Sequence, residues 1–455
     1  MKPDVKAISR IRVKNLFGTY NYVLAPSPKA CNTDRLLILY GDNGSGKTTI
    51  LRTIFHLLAP ESGEGHKTSI AQTPFERFEV DLSSGDRIRA YRPANRLVGS
   101  YTMDLRLHSG GRARFEMKAD KAGAVKRSDT SDAFLAKLGK LKVVLYFLSD
   151  DRTVQLSGVG ESDSALPQAG FPEEWVLAQA EVLGQAVRSV RRAEAEMKAQ
   201  QLLPQSLKRA ETWIQSQAVR GSAQGESSVY SLYSDLLGRI SKLPLADTPS
   251  KDAVLRVTGK RVAEIEARSK DYAKYGLLPE FNGQELLRIL NSAPKSHLPI
   301  LTNVISPYLE SVEKKLEAMQ YLQQQINSLV TTLNSFLTKK RILFEIHSGF
   351  QIRTDDDRQI LPGMLSSGER HLLLLFCNTL VALQGPSIFI IDEPEISLNI
   401  KWQRRLLSSL LACAGTQPIQ YIFATHSFEL LSQFRHNTIK LEEKAEAQDG
   451  PKADA

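Results

Sequence analysis

Gly41-Asp-Asn-Gly-Ser-Gly-Lys-Thr48 follows the apolar run Leu36–Tyr40 (LLILY) and precedes the helix-like stretch Thr48–Leu58. The octapeptide fits GxxxxGK[ST], and a buried strand before it with a helix after it is the context that this pattern requires. Glycines let consecutive backbone N–H groups curl around a phosphate, and the helix N-terminus adds positive dipole. The phosphate-binding set is therefore Asn43, Gly44, Ser45, Gly46, Lys47, Thr48 and Thr49. Lys47 can reach β- and γ-phosphates, and the Thr48 hydroxyl can take one position on Mg²⁺.

The 455 residues around this loop have ordinary globular composition, 42% hydrophobic and 24% charged, which excludes wholesale disorder and a collagen-like fibre. No run approaches the roughly 18 apolar residues of a membrane helix. The charged N-terminus MKPDVKAISRIRVKNL has no apolar signal region, so a cytoplasmic location is expected. Cys31, Cys377 and Cys413 are scattered, without zinc or disulfide spacing. Lys plus Arg is 59 against 50 for Asp plus Glu, a net charge of +9. Fourteen basic and five acidic residues lie between Arg87 and Lys142, so this window alone carries an excess equal to that of the whole chain. Such a surface suits a polyanionic partner, and equally serves as a solubilising face.

Strand-like segments open the chain at Ile8–Val13 and Leu36–Tyr40, and a hairpin signal, Ser-Ser-Gly-Asp, joins Phe78–Leu82 to Arg87–Arg92. Val143–Leu148 is a further buried-strand pattern. Residues 150–170, rich in Gly, Ser and Asp, mark a boundary, and 172–340 read as helices punctuated by proline. Between Pro307 and Thr338, Leu309, Val312, Leu316, Met319, Gln323, Ile326, Val330, Leu333 and Leu337 alternate spacings of three and four. That is a heptad seam, on a helix of about 48 Å, for packing inside its own domain or between subunits. Strand patterns return at Ile342–Ile346, Phe350–Ile352, Ser387–Ile391 and Ile419–Ala424, with an edge strand at Thr438–Leu441. Asp355-Asp-Asp357 reads as a hairpin turn rather than a metal site, and Trp175, Trp213 and Trp402 read as packing residues. The expected organisation is an N-terminal lobe 1–160, a helical insertion 161–340, a C-terminal lobe 341–441 and a disordered tail 442–455.

Ser387–Ile391 runs into Asp392-Glu393-Pro394, an apolar strand ending in two acids. Asp392 would hold Mg²⁺ and Glu393, one residue on, would polarise the attacking water. Leu365-Ser-Ser-Gly-Glu-Arg370 precedes an apolar helical run about 25 residues before that pair, Ser397-Leu-Asn399 follows it, and Ala424-Thr-His-Ser427 ends the last buried strand. These ordered motifs resemble the ABC-type ATPase heads of the SMC, Rad50, RecF and OLD group. The resemblance covers 1–160 and 340–455 and implies an α/β fold, an ABC-type P-loop ATPase head interrupted by an α-helical, coiled-coil-like insertion. It implies ATP and Mg²⁺ as cofactors, with ATP hydrolysed at head-to-tail sites between two copies. Ser366, Ser367 and Gly368 stand where the signature motif meets the γ-phosphate bound by a second subunit, and His426 where the switch histidine reads it. Glu369 replaces the usual Gln, Asn399 the usual Asp or His, and Gln155 is the Q-loop candidate.

A transporter head lacks an insertion of about 180 residues, and Rad50 and SMC arms are far longer. OLD nucleases continue into a nuclease domain, whereas 29 residues follow His426. A destructive activity is thus expected on another chain. The pattern is similar to the ATPase subunits of two-component anti-phage defence systems, PARIS first and Septu second. That resemblance implies a sensor and scaffold, a higher homo-oligomer that restrains a TOPRIM-type effector nuclease encoded nearby. A phage trigger protein, such as an acidic DNA mimic, would release it. A RecF- or Rad50-like DNA-repair ATPase acting on DNA is the alternative, and no membrane partner is expected.

Overall fold

The computed structural model describes residues 6–26, 35–61, 65–126, 128–150, 154–158, 202–223, 250–383, 385 and 387–442. Cys31, Trp175, most of the expected boundary at 150–170 and all but the first residue of the expected tail lie outside these residues. The chain divides into two units: Met1–Leu203 with Ser366–Ala455, and Pro204–Leu365.

The first unit starts with β1 (Ile8–Leu16), β2 (Tyr20–Leu24), β3 (Leu36–Tyr40), α1 (Lys47–Leu58), α2 (His66–Gln72) and β4 (Arg77–Leu82). It continues through β5 (Arg87–Tyr91), β6 (Tyr101–Arg106), β7 (Arg112–Met117), α3 (Asp129–Gly139), β8 (Val144–Leu148) and β9 (Val154–Ser157). The second unit holds α4 (202–223, from residue 204), α5 (Lys251–Ala273), α6 (Gln284–Ser292) and α7 (Leu298–Phe336). A small sheet of β10 (Lys340–Glu345), β11 (Gly349–Thr354) and β12 (Gln359–Ile360) completes it. The chain then re-enters the first unit through α8 (Ser367–Ala382), β13 (Ser387–Asp392), α9 (Ile400–Ala414), β14 (Ile419–Thr425), α10 (Phe428–Leu431) and β15 (Thr438–Lys440).

Two six-stranded sheets build the first unit. One is antiparallel, in the order β2-β1-β4-β5-β6-β7, and β5 within it alternates buried and half-buried residues. The other runs β15-β3-β14-β13-β8-β9, parallel except for β9. Every residue of β13 and β14 is buried, which is why both read as continuous apolar runs. One polar side chain ties the two sheets. Gln420 on β14 is fully buried; its Oε1 accepts from Ile8 N at 2.7 Å and its Nε2 donates to Ile8 O at 2.9 Å. A side-chain amide thus completes the backbone pairing of a strand in the other sheet.

In the second unit the long helix differs from expectation. It begins at Leu298, nine residues before Pro307, and ends at Phe336, giving about 58 Å. Leu298, Ile305, Pro307 and Leu309 are all buried, and that packing outweighs the roughly 3 kcal/mol cost of an interior proline. The heptad seam is used inside the unit. Leu309, Leu316, Met319, Ile326, Val330 and Leu333 are buried together with Leu322, Leu329 and Phe336. Tyr272 of α5 donates to Leu316 O at 2.8 Å, and Arg261 pairs with Glu313 at 2.7 Å. Gly221 of α4 lies against Met319, where an added Cβ would stand 2.8 Å from the sulfur. A second correction concerns the boundary expected at 340/341. Residues 341–365 group with the helical unit: β10–β12 form a separate three-stranded sheet, and its strands bond to the helices, Asn334 Nδ2 donating to Ile342 O at 2.9 Å and Phe350 N donating to Glu211 Oε1 at 2.9 Å. Asp355–Asp357 do form a turn, with Asp357 paired to Arg353 at 3.0 Å and Asp356 to Arg358 at 2.7 Å.

Replacing Gln420 by Leu strands a buried N–H and a buried carbonyl of Ile8. A loss of about 2–4 kcal/mol is expected, read as a lower urea midpoint with secondary structure retained before the transition.

Candidate functional site

The parallel register places four loops at one level. Tyr40 pairs with Thr425, Ala424 with Asp392, and Ile391 with Leu148. The carboxyl edge of the sheet therefore delivers the phosphate loop after β3, Glu393 after β13, His426 after β14 and Asp150 after β8. This is where ligands bind in open parallel sheets.

The phosphate loop needs its glycines for conformation. Gly44 and Gly46 have φ of +84° and +86°, and a Cβ on Gly46 would stand 2.8 Å from Leu16 Cδ2. Gly46 precedes α1, whose first N–H groups face the loop. Lys47 is buried, and its Nζ donates to Gly41 O at 2.7 Å and Asp42 O at 2.9 Å. The ammonium is thus already arched over the loop that must hold phosphate.

Asp392 is 1% exposed, and neither carboxylate oxygen has a hydrogen bond of normal geometry. Burial pushes its carboxyl up to about 6; the Thr48 hydroxyl opposes that, the negative charges of Asp150 and Glu393 add to it, and Arg52 opposes it weakly. A buried carboxylate with two bare oxygens, facing a threonine hydroxyl, fits a divalent cation shared with a bound phosphate. Thr48 and Asp392 would hold it. Asp150, paired with Arg52 at 3.4 Å, is a charged group at this edge that the motifs do not signal. Gln155 lies exposed on β9 opposite Phe147, and no hydrogen bond or ion pair among the described residues joins it to Lys47, Asp392 or Glu393.

Glu393 has φ +47°, a left-handed conformation that is costly for a glutamate, by about 1–3 kcal/mol. Its N–H donates to Ala424 O at 2.9 Å, which holds the turn against the end of β14. Glu393 Oε1 lies 3.6 Å from His426 Nδ1, so the carboxylate expected to polarise water and the expected switch imidazole stand side by side.

Ser366 caps α8. Its Oγ accepts from Glu369 N at 3.3 Å while Glu369 Oε2 accepts from Ser366 N at 2.7 Å. This capping box explains why Glu serves at a position where Gln is usual, since either side chain can accept. Asn399 has a similar explanation: its Oδ1 accepts from Trp402 N at 3.0 Å and starts α9. Gly368 meets the preceding loop so closely that a Cβ would stand 2.5 Å from Ser397 O. The signature helix and the loop after Glu393 are therefore one packed piece, further joined by the hydrogen bond between His371 Nε2 and Pro394 O at 3.2 Å.

The basic window is less free than its charge suggests. Arg92 is buried and donates to Phe75 O, Ile70 O and Ala71 O. Arg87 pairs with Asp81, and Arg89 and Arg112 both pair with Asp104. Arg96, Arg106, Lys118, Lys121, Lys126, Lys137, Lys140 and Lys142 remain exposed.

The family described as "ABC transporter" matches residues 29–161, and that described as "AAA domain, putative AbiEii toxin, Type IV TA system" matches residues 222–432. The chain is 22% identical over 142 residues, 31% of its length, to the uncharacterized ABC transporter ATP-binding protein YejF of Escherichia coli (strain K12). It is 32% identical over 81 residues, 18% of its length, to the lipoprotein-releasing system ATP-binding protein LolD of Granulibacter bethesdensis. It spans only 26% and 34% of those two proteins. Among solved structures, it aligns with the Smc head domain of Pyrococcus furiosus bound to the C-terminal domain of ScpA at TM-score 0.36 and 11% identity, covering 96% of this chain and 94% of that one. The SMC head domain of Thermotoga maritima aligns at 0.31 and 11%, covering 94% and 91%. Sheet order, motif order and family matches together define an α/β, ABC-type P-loop ATPase head interrupted by a helical insertion. No helix among the described residues is long and apolar enough to cross a membrane.

Because Asp392 is held above its ordinary carboxylate value, the stability its neutral form contributes is present below about pH 4 and lost as pH rises through about 6. Without metal at pH 8, Asp392→Asn should therefore be the more stable protein by on the order of 3 kcal/mol. The difference should vanish near pH 4, and Mg²⁺ with nucleotide should reverse the ranking at pH 8. Denaturant midpoints at the two pH values check all three statements.

Proposed function

We propose that this chain binds and hydrolyses ATP at sites shared between two copies of itself, and that it uses this cycle as the sensor and scaffold subunit of a bacterial anti-phage defence system. In this reading it restrains a separate effector nuclease and releases it on meeting a phage protein. The observation that carries the hydrolytic part is the single sheet edge holding Lys47, Thr48, Asp392, Glu393 and His426. Lys47 neutralises β- and γ-phosphate charge, and Glu393 orients the attacking water. His426 faces the γ-phosphate. Thr48 and Asp392 would hold Mg²⁺, which would supply the charge neutralisation that phosphoryl transfer needs. Ser366–Gly368, in a hydrogen-bond network separate from that of Lys47, would close the site of the other copy through the N-terminus of α8.

The defence role is supported by the toxin–antitoxin wording of the family matched over 222–432 and by the helical unit set into the head. The exposed cations Arg96, Arg106, Lys118, Lys121, Lys126, Lys137, Lys140 and Lys142 support a polyanionic trigger, an acidic DNA mimic by preference. The same cations favour the second reading, a RecF- or Rad50-like ATPase on DNA. Co-expression with the neighbouring gene product decides between them. A large assembly that sheds a TOPRIM-type neighbour when an acidic DNA-mimic protein is added supports the defence role. A dimer that ignores both but binds duplex DNA with steep salt dependence overturns it.

Two substitutions test the catalytic assignment. Lys47→Ala should lose at least tenfold in nucleotide affinity, measured by equilibrium binding. Glu393→Gln should retain affinity within about threefold, lower turnover at least a hundredfold and trap paired heads by native mass. Normal turnover in Glu393→Gln would remove Glu393 as the base.

A further inference from the structure

Glu395, two residues beyond the proposed base, belongs to none of the motifs, yet it is 7% exposed and lies at the centre of the site's hydrogen bonds. A single oxygen, Oε1, accepts from Thr425 Oγ1 at 2.6 Å, from His426 N at 3.1 Å and from Ser427 N at 3.2 Å. The same oxygen lies 3.6 Å from His426 Nδ1, matching the distance from Glu393 Oε1. The switch imidazole therefore stands between two carboxylates, and its backbone is fixed by one of them. Oε2 of Glu395 is buried without a hydrogen bond. Burying a carboxylate with one bare oxygen is costly. An apolar residue would fill the space without that cost but could not gather three donors.

The network continues. Ser427 Oγ donates to Gln403 Oε1 at 2.9 Å, and Gln403 Nε2 donates to Leu398 O at 2.8 Å. Leu398 follows Ser397, whose carbonyl lies against Gly368. Strand β14 is a rigid support up to Thr425, but His426 is the first residue past it and is half-exposed. Nothing in the strand itself sets the direction of that side chain.

We propose that Glu395 is a positioning residue for hydrolysis: it acts through His426, holding the switch loop so that the imidazole meets the γ-phosphate beside Glu393, with Gln403 tying the same loop to the segment under the signature helix. The inference rests on the ATPase reading above. It makes Glu395 matter for turnover and not for holding nucleotide, since it touches neither Lys47 nor the phosphate loop.

The test is a double-mutant cycle on the full chain, with kcat and KM for ATP measured beside equilibrium binding of a non-hydrolysable Mg-nucleotide. Glu395→Ala is expected to lower kcat at least tenfold with KM and affinity within about twofold. Glu395→Gln, whose amide oxygen still accepts, should recover at least threefold of that loss. On a His426→Ala background, Glu395→Ala should have no further effect. Should Glu395→Ala not fold, Glu395→Gln is read by NMR, where the His426 imidazole resonance, assigned from His426→Ala, is expected to shift while those of the other histidines stay. Turnover within twofold of wild type in Glu395→Ala, additive losses in the cycle, or an unmoved His426 resonance in Glu395→Gln would each overturn the inference. Wild-type protein that binds nucleotide without any turnover overturns the ATPase reading and this inference together. Wild-type turnover with an additive cycle overturns the inference alone.

Discussion

Three parallel strands end at one level, and the chemistry follows from that. Hydrogen bonding of β14 to β3 on one side and to β13 on the other brings Tyr40, Thr425 and Asp392 to the same edge. The residue after each strand belongs to the candidate site: Gly41 of the phosphate loop, His426 and Glu393. Slippage of any pair by one residue would turn every buried side chain of that strand to the opposite face. Both faces are closed by apolar packing, so the register is held tightly, and with it the spacing of groups hundreds of residues apart in the chain. Gln420 extends this restraint to the antiparallel sheet through its amide pair with Ile8.

At that edge the protein holds arrangements that no isolated peptide would keep. Asp392 is buried without hydrogen bonds, Glu393 and Ser397 have left-handed backbones at φ +47° and +67°, and Glu395 leaves one buried oxygen bare. Each is unfavourable by an amount that the surrounding core can offset. They cluster within six residues at the end of a fully buried strand, an arrangement that fits a candidate site for a cation, a water and a phosphate. The departures at Glu369 and Asn399 need no special function, because each side chain caps the helix that begins beside it.

The phosphate loop, the acid pair and the switch histidine were legible because each depends on contiguous residues: an apolar run, a turn chemistry and a helix start. The strand segments were legible for the same reason, Leu36–Tyr40 without change and Ile8–Val13, Ser387–Ile391 and Ile419–Ala424 with C-terminal ends one to three residues later. The long helix was legible in its period but not in its start. A proline reads as a helix beginning when only neighbours in sequence are weighed, and the burial of Leu298 and Ile305 depends on partners that the local pattern does not contain. The charge of the basic window was countable, but which arginines remain free depends on Asp81 and Asp104 lying across from them in the sheet.

The amino-acid sequence by itself determined the fold class and the identity of the phosphate loop, Asp392, Glu393 and His426, because these rest on local spacing of residue types. The tertiary structure alone decided the placement of Asp150 and Glu395 at the sheet edge, the capping by Ser366 and Asn399, the inward use of the heptad seam and the grouping of β10–β12 with the helical unit. Those outcomes depend on which distant side chains share a buried, low-dielectric space, and three-dimensional packing determines that where linear spacing cannot.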